Sequence, residues 1–212
     1  MKIIRMLLSL VTIALLASSC GGDNKPPEPA AGSASSAEPM PAPNAAASDG
    51  ITARTLLDQA MAEARKWQAD AELAGVSTSL AEGPSHAFWF YDVESPSQGT
   101  CTRIRALANG RIENVGTGEK CILMRPVSTG FVDSPAAYEA ARAAGFESGD
   151  SVQFGLRFQQ DQALPTPREC WVLWSDNDSD EEQGVTRGWC VDPATGAFVV
   201  RLSGFGRTES LQ

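Results

Sequence analysis

The chain has 212 residues, with 17 Lys plus Arg against 26 Asp plus Glu, one histidine and a formal net charge of −9. That acidic balance excludes nucleic acid, whose phosphates demand a basic surface, and an anionic headgroup patch. A single histidine also leaves nucleophilic catalysis short of its usual base, and no motif calls for a cofactor.

The chain opens with Lys2 and Arg5, followed from Met6 to Ala17 by apolar residues interrupted only by Ser9 and Thr12. This is the pattern of a signal peptide, over residues 1–19. The run falls short of the roughly 20 apolar residues that a membrane-spanning helix needs. Ser18 and Ser19 then precede Cys20, and this stretch resembles a bacterial lipobox, with Ala17 where leucine is usual. The resemblance implies cleavage before Cys20 and lipidation of that cysteine. The protein would then be held at a membrane by its lipid anchor, in the cell envelope and outside the cytoplasm. Gly21 in place of aspartate would favour the outer membrane, facing the periplasm, in a Gram-negative host. The alternative is an ordinary secreted protein. Of the five cysteines, assigning Cys20 to lipid leaves an even four, which suits an exported chain.

Residues 20–50 are rich in Ala, Pro, Ser and Gly and nearly free of large apolar side chains, which predicts a disordered, semi-stiff linker. Beyond it, a helix is expected from Ile51 to Gly75, with Leu57, Ala60, Met61, Ala64, Trp67 and Ala71 near a 3.6-residue period. Thr55 and Asp58 form a candidate capping pair there. Strands are expected over 75–80, 86–93, 101–107 and 111–115, the last two joined by the hairpin signal Asn109-Gly110. Ser134 and Pro135 open a second, Ala-rich helix ending near Gly145. Further strands are expected over 152–158, 170–174, 188–191 and 197–202.

Helix, strand, aromatic strand, polar loop and hairpin thus occur twice in one order. The expected fold class is α+β: two similar helix-plus-antiparallel-sheet units, over residues 51–132 and 133–212. One irregular α+β domain is the alternative. The segment Gly188-Trp189-Cys190-Val191-Asp192-Pro193-Ala194-Thr195-Gly196 resembles the closing hairpin of PepSY-type domains of the bacterial envelope. That resemblance implies protein binding or restraint of a peptidase rather than chemistry.

Cys101, Cys121, Cys170 and Cys190 would meet an oxidising compartment, where disulfides persist. Pairing within each half, Cys101–Cys121 and Cys170–Cys190, is favoured among three connectivities. Zinc is the rival reading, weakened by the lack of Cys-x-x-Cys spacing. Asp176, Asp178 and Asp180 imitate the opening of a calcium loop, but Glu181 stands where glycine is needed and Arg187 where the bidentate glutamate belongs. A solvated acidic tip is the simpler reading. His86 precedes an aromatic strand and reads as a strand-end residue. Trp89, Tyr91, Trp171, Trp174 and Trp189 are either core or a binding surface for an envelope protein or peptide. The expected function is a non-enzymatic, membrane-tethered binding or accessory module. A purely structural lipoprotein, or an envelope hydrolase, are the alternatives.

Overall fold

The structure, a computed structural model, describes residues 50–79, 82–116, 118–121, 125–180 and 185–206. The signal peptide, Cys20 and nearly all of the linker lie outside the described residues. Helix α1 covers Leu57–Trp67, much shorter than the expected 51–75. Its N-cap, Leu56, has no side-chain cap; Thr55 accepts instead from the Thr52 amide at 3.1 Å. The C-terminal shortening has a local cause. Gln68 turns extended, and Asp70 accepts from the Ser97 amide at 2.9 Å and the Ser95 hydroxyl at 2.8 Å, which draws the chain across to a strand turn. The Ser97 hydroxyl, then its amide and the Ser95 hydroxyl, hold the Asp70 carboxyl down at about 2. Gly75, expected as the helix stop, lies inside β1 (Glu72–Ser77).

Strands β2 (Phe88–Ser95), β3 (Thr100–Leu107), β4 (Ile112–Asn114) and β5 (Glu119–Lys120) follow. Gly110, at φ +84°, supplies the left-handed residue of the β3–β4 turn. Helix α2 covers Ser134–Ala143, capped by Asp133 with proline in its first turn, and Gly145 follows it at φ +100°. The remaining strands are β6 (Val152–Asp161), β7 (Leu164–Ser175), β8 (Ser179–Asp180), β9 (Val185–Val191) and β10 (Phe198–Gly206).

The architecture is α+β: all the strands pair antiparallel in one ten-stranded sheet, whose main path runs β10-β9-β7-β6-β1-β2-β3-β4. The two halves of the chain meet at β1 and β6, where Val76 opposes Leu156 and Ser77 opposes Gly155. One row crosses the whole path in register: Val200, Cys190, Val172, Gly155, Ser77, Phe90, Arg105 and Glu113.

Both helices bury their small-residue stripes, Ala60 and Ala64 on α1 and Ala137 and Ala141 on α2, in one core that covers a single face of the sheet. Small residues let the helix backbones approach, leaving room for large strand residues such as Trp89, Tyr91, Phe154 and Trp171. Aromatic contacts bridge the halves, with the Trp89 and Trp171 rings 6.2 Å apart, edge to face. The entry to α1 is also tied to the cap of α2. Asp133 accepts from the Thr52 hydroxyl at 2.6 Å and the Arg54 amide at 3.0 Å, and Ser134 Oγ accepts from the Ala53 amide at 3.1 Å.

The opposite face differs between the halves. In the second half it carries a small core of its own, Leu164, Cys170, Val172, Cys190 and Leu202. Asp161, at the end of β6, accepts from the amide and hydroxyl of Ser203 on β10, at 2.7 and 3.1 Å. These strands are separated by β7 and β9 on the sheet path, so this half rolls toward closure over its own apolar side chains.

Candidate functional site

The aromatic candidates divide between the two faces. Trp89, Tyr91 and Trp171 are fully buried under the helices, with their polar atoms spent on backbone carbonyls. Trp89 Nε1 donates to Ile51 O at 2.7 Å, Tyr91 Oη to Ala53 O at 3.0 Å and Trp171 Nε1 to Val132 O at 2.8 Å. Burial, with the charge of Asp133 second, pushes the Tyr91 phenol up. Trp189 is buried as well, between Phe146 and Phe198 and beneath the Arg201 guanidinium. These four are core residues, so a binding role for them is corrected. Trp174 alone is half-buried on the other face, where its ring lies over Gly155 and under Arg157.

That face, in the first half, bears a surface that the sequence reading did not single out. Phe88 and Phe90 pack edge to face at 5.1 Å, both half-buried. Arg103 stacks over Phe90 at 5.2 Å and donates to Asp92 at 2.6 Å, with its side chain 49% exposed. Beside it, Arg105 and Arg111 flank Glu113, and the Arg105 hydrogen bond is the first cause that holds the Glu113 carboxyl below its usual range. A faint signal was present. Arg103 and Arg105 alternate with Thr102 and Ile104, which marks the solvent side of β3, and antiparallel pairing then puts Phe88 and Phe90 beside them.

A shallow cleft of about 340 Å³ lies at the other end, lined by Phe158, Pro167, Arg168, Glu169, Asp192 and Pro193. Its polar groups are already paired. Arg168 bridges to Asp192, and Glu169 accepts from the Ser128 amide at 2.8 Å. Burial raises the Asp192 carboxyl, but the amides of Thr195 and Ala194, the Thr195 hydroxyl and Arg168 together hold it below its ordinary value.

Of the calcium candidates, Asp176 and Asp178 do not converge on a cation position. Asp178 is buried and accepts from the amide and hydroxyl of Ser175 at 3.0 and 3.1 Å, whereas Asp176 is exposed beside Ser151. The side chain of Asp180 lies outside the described residues.

Both expected disulfides are formed. Cys101–Cys121 and Cys170–Cys190 have Cα separations of 5.2 and 5.3 Å. Cys170 and Cys190 join β7 to β9 and are wholly buried, whereas Cys101 and Cys121 are half-buried at one end of the sheet. Two carboxylates stand near the Cys101–Cys121 bridge, since Glu94 opposes Cys101 across β2 and β3 and Glu72 opposes Glu94 across β1 and β2.

His86 is 2% exposed, its ring set edge-on to Trp89 at 5.0 Å and Phe154 at 5.6 Å. Among the described residues neither ring nitrogen has a hydrogen-bond partner. Burial holds its pKa down at about 4, against a weaker opposing effect from the backbone of Ser79 and Gly83. It serves as a core residue among aromatics. Among the described residues no helix is long and apolar enough to cross a membrane. Comparison with protein-family models, with curated proteins and with solved structures finds no match to this chain.

Proposed function

We propose that the protein is a non-enzymatic, lipid-tethered module of the cell envelope that binds another envelope protein or peptide through the sheet face opposite its helices. The observation that carries this reading is the Phe88, Phe90 and Arg103 surface. It pairs half-buried aromatic rings with a guanidinium oriented by stacking and by Asp92. Aromatic residues and arginine are the types enriched at the anchors of protein interfaces; aromatic rings bring large contact area on few rotatable bonds, and a guanidinium already held by stacking and by Asp92 has less side-chain freedom left to lose. The fitting occupant is a polypeptide segment that lays an apolar side chain on the two phenylalanines and offers a carboxylate to Arg103.

The export signal and the Cys20 lipobox support the tether, and the disulfides suit an oxidising space. We read the two halves as PepSY-like repeats. A helix followed by an antiparallel meander recurs in each, and the strand order on one side of the β1–β6 junction mirrors that on the other.

Photo-crosslinking residues placed at positions 90 and 103 in intact cells should trap one reproducible protein, and a probe at Lys66 on α1 should not. Adducts absent from the sheet positions, or equally frequent at Lys66, sink the binding reading in favour of a purely structural lipoprotein. Mass analysis of the mature N-terminal peptide tests the tether. An unmodified Cys20, or residues 1–19 still attached, refutes it.

A further inference from the structure

The two disulfides stand in unlike chemical settings. Cys170–Cys190 is wholly buried inside the roll of the second half, away from water. Cys101–Cys121 is half-buried at the sheet end, where one ligand atom each from Glu94, Cys101 and Cys121 lie within 4.8 Å of one another. Two sulfurs and a carboxylate oxygen form a mixed donor set for a thiophilic divalent cation. Zinc takes sulfur at about 2.3 Å and carboxylate oxygen at about 2.0–2.2 Å in a tetrahedron, which sets its donors about 3.3–3.8 Å apart. To reach that spacing the two sulfurs must part, which breaking their bond allows, and the Glu94 carboxylate, already within 4.8 Å, must close on them by a side-chain adjustment.

We propose that reduction of Cys101–Cys121 opens a zinc site whose ligands are the thiolates of Cys101 and Cys121 and the carboxylate of Glu94. The reductant is a dithiol of the envelope. It passes two electrons and two protons to the bridge, is itself oxidised to a disulfide, and leaves two thiols. Zinc then displaces the two thiol protons, forming two Zn–S bonds and one Zn–O bond. Water or the neighbouring carboxylate of Glu72 completes the tetrahedron.

The segment that carries Cys121 stays docked without its bridge. Val115 N donates to Arg103 O at 2.8 Å and Cys121 N to Gly99 O at 3.2 Å, on either side of the short β3–β5 pairing. The sulfurs are therefore still neighbours after reduction, and their separation costs little loop-closure entropy. Occupation of the site would exchange a covalent staple for a metal staple at the same corner, which keeps this edge of the sheet anchored under reducing conditions.

The test uses the full mature chain, treated with a phosphine reductant that does not chelate metal and then desalted under argon. Thiol mapping by alkylation should find Cys101 and Cys121 open while Cys170 and Cys190 remain bridged. Cobalt(II), used as a spectroscopic stand-in for zinc, should give thiolate-to-metal charge-transfer bands at one ion per chain. Zinc should displace it. Oxidised protein should give neither band nor retained zinc. The double variant Cys101→Ser/Cys121→Ser should retain none, and Glu94→Gln should bind about tenfold or more weakly, in the range seen when single metal-site residues are altered. Absent thiolate bands in the reduced wild type overturn the proposal, as does a stoichiometry unaffected by the double substitution or a first reduction at Cys170–Cys190. Affinity undiminished in Glu94→Gln overturns the ligand set. Comparison of oxidised with reduced wild type decides the matter even if a variant fails to fold.

Discussion

The buried histidine offers the cleanest perturbation of this fold. His86 is neutral in the native core because burial holds its pKa at about 4 against an ordinary 6.5. The unfolded chain therefore binds a proton that the native chain refuses, and stability must fall with pH between these values. Its contribution is fully present above about pH 6.5, is lost progressively as the pH falls toward 4, and stays lost below that. A shift of this size corresponds to about 3 kcal/mol, approached with a slope of at most about 1.4 kcal/mol per pH unit. Carboxylates do not confuse this window at its upper end. Asp70, lowered from 3.8 to about 2, contributes stability present above its ordinary value and lost only in stronger acid. His86→Phe replaces the ring by one of similar shape and removes two polar atoms that have no partner among the described residues. The variant should therefore match or exceed the wild type at pH 8, by up to about 2 kcal/mol. Urea unfolding at half-unit intervals from pH 8 to 4, with the disulfides intact, gives both curves. The wild type should lose about 3 kcal/mol more than the variant over that range. Parallel curves would mean that the imidazole is solvated or hydrogen-bonded in solution, and the argument from burial would fail.

Trp171→Ala should destabilise by about 3–5 kcal/mol in denaturant titrations, since it empties a fully buried site that joins both halves, whereas half-buried Trp174→Ala should cost less than about 1.5 kcal/mol. Asp133→Ala removes the cap of α2 together with the acceptors of Thr52 and Arg54; a loss of about 2 kcal/mol is expected, and restoration by asparagine would be partial. Gly116→Ala should destabilise and free the Cys121 segment from β3, read as faster amide exchange at Val115. A Cβ there would clash with Thr102 Oγ1 and with Arg103 N, and the backbone contact cannot be relieved by a rotamer change.

Much of the architecture is legible in the sequence because local chemistry and final fold agree. Ser134, Pro135 and Gly145 state both ends of α2, and Asn109-Gly110 states the β3–β4 turn. Alternation in Val152 to Phe158 states β6. Other features depend on distant partners and left no local trace. Helix α1 stops early because Asp70 is claimed by serines of the β2–β3 turn. The start of β7 hides behind Pro165 and Pro167, which argue against a strand. They are accommodated because β9 pairs only with Trp171 to Leu173, so the prolines sit where one side of β7 has no ladder to serve. The site reading failed in the same way. Trp89 and Tyr91 drew notice by residue type, yet the period of two sends them under the helices and turns Phe88 and Phe90 outward.

The placement of the disulfides explains why two halves with the same order of elements present different faces. Cys190 opposes Val172, and Cys170 lies two residues before Val172 on the same face, away from the helices; with Leu202 and Leu164 they draw β6, β7, β9 and β10 into a roll that Asp161 and Ser203 close. Nothing comparable occupies that face of β2 and β3, where Cys101 is bonded outward to the segment after β5 and the intervening positions are Phe88, Phe90, Asp92, Arg103 and Arg105. Apolar side chains on that face of the second half are gathered largely into its own small core, with Trp174 half-buried at its margin, whereas Phe88 and Phe90 of the first half have no such core beneath them and keep half-buried aromatic area available for a partner. A graft that replaced Phe88 and Phe90 by threonine should leave the helix-side core and the unfolding midpoint nearly unchanged while abolishing partner capture. A large fall in stability instead would assign those rings to the fold rather than to recognition.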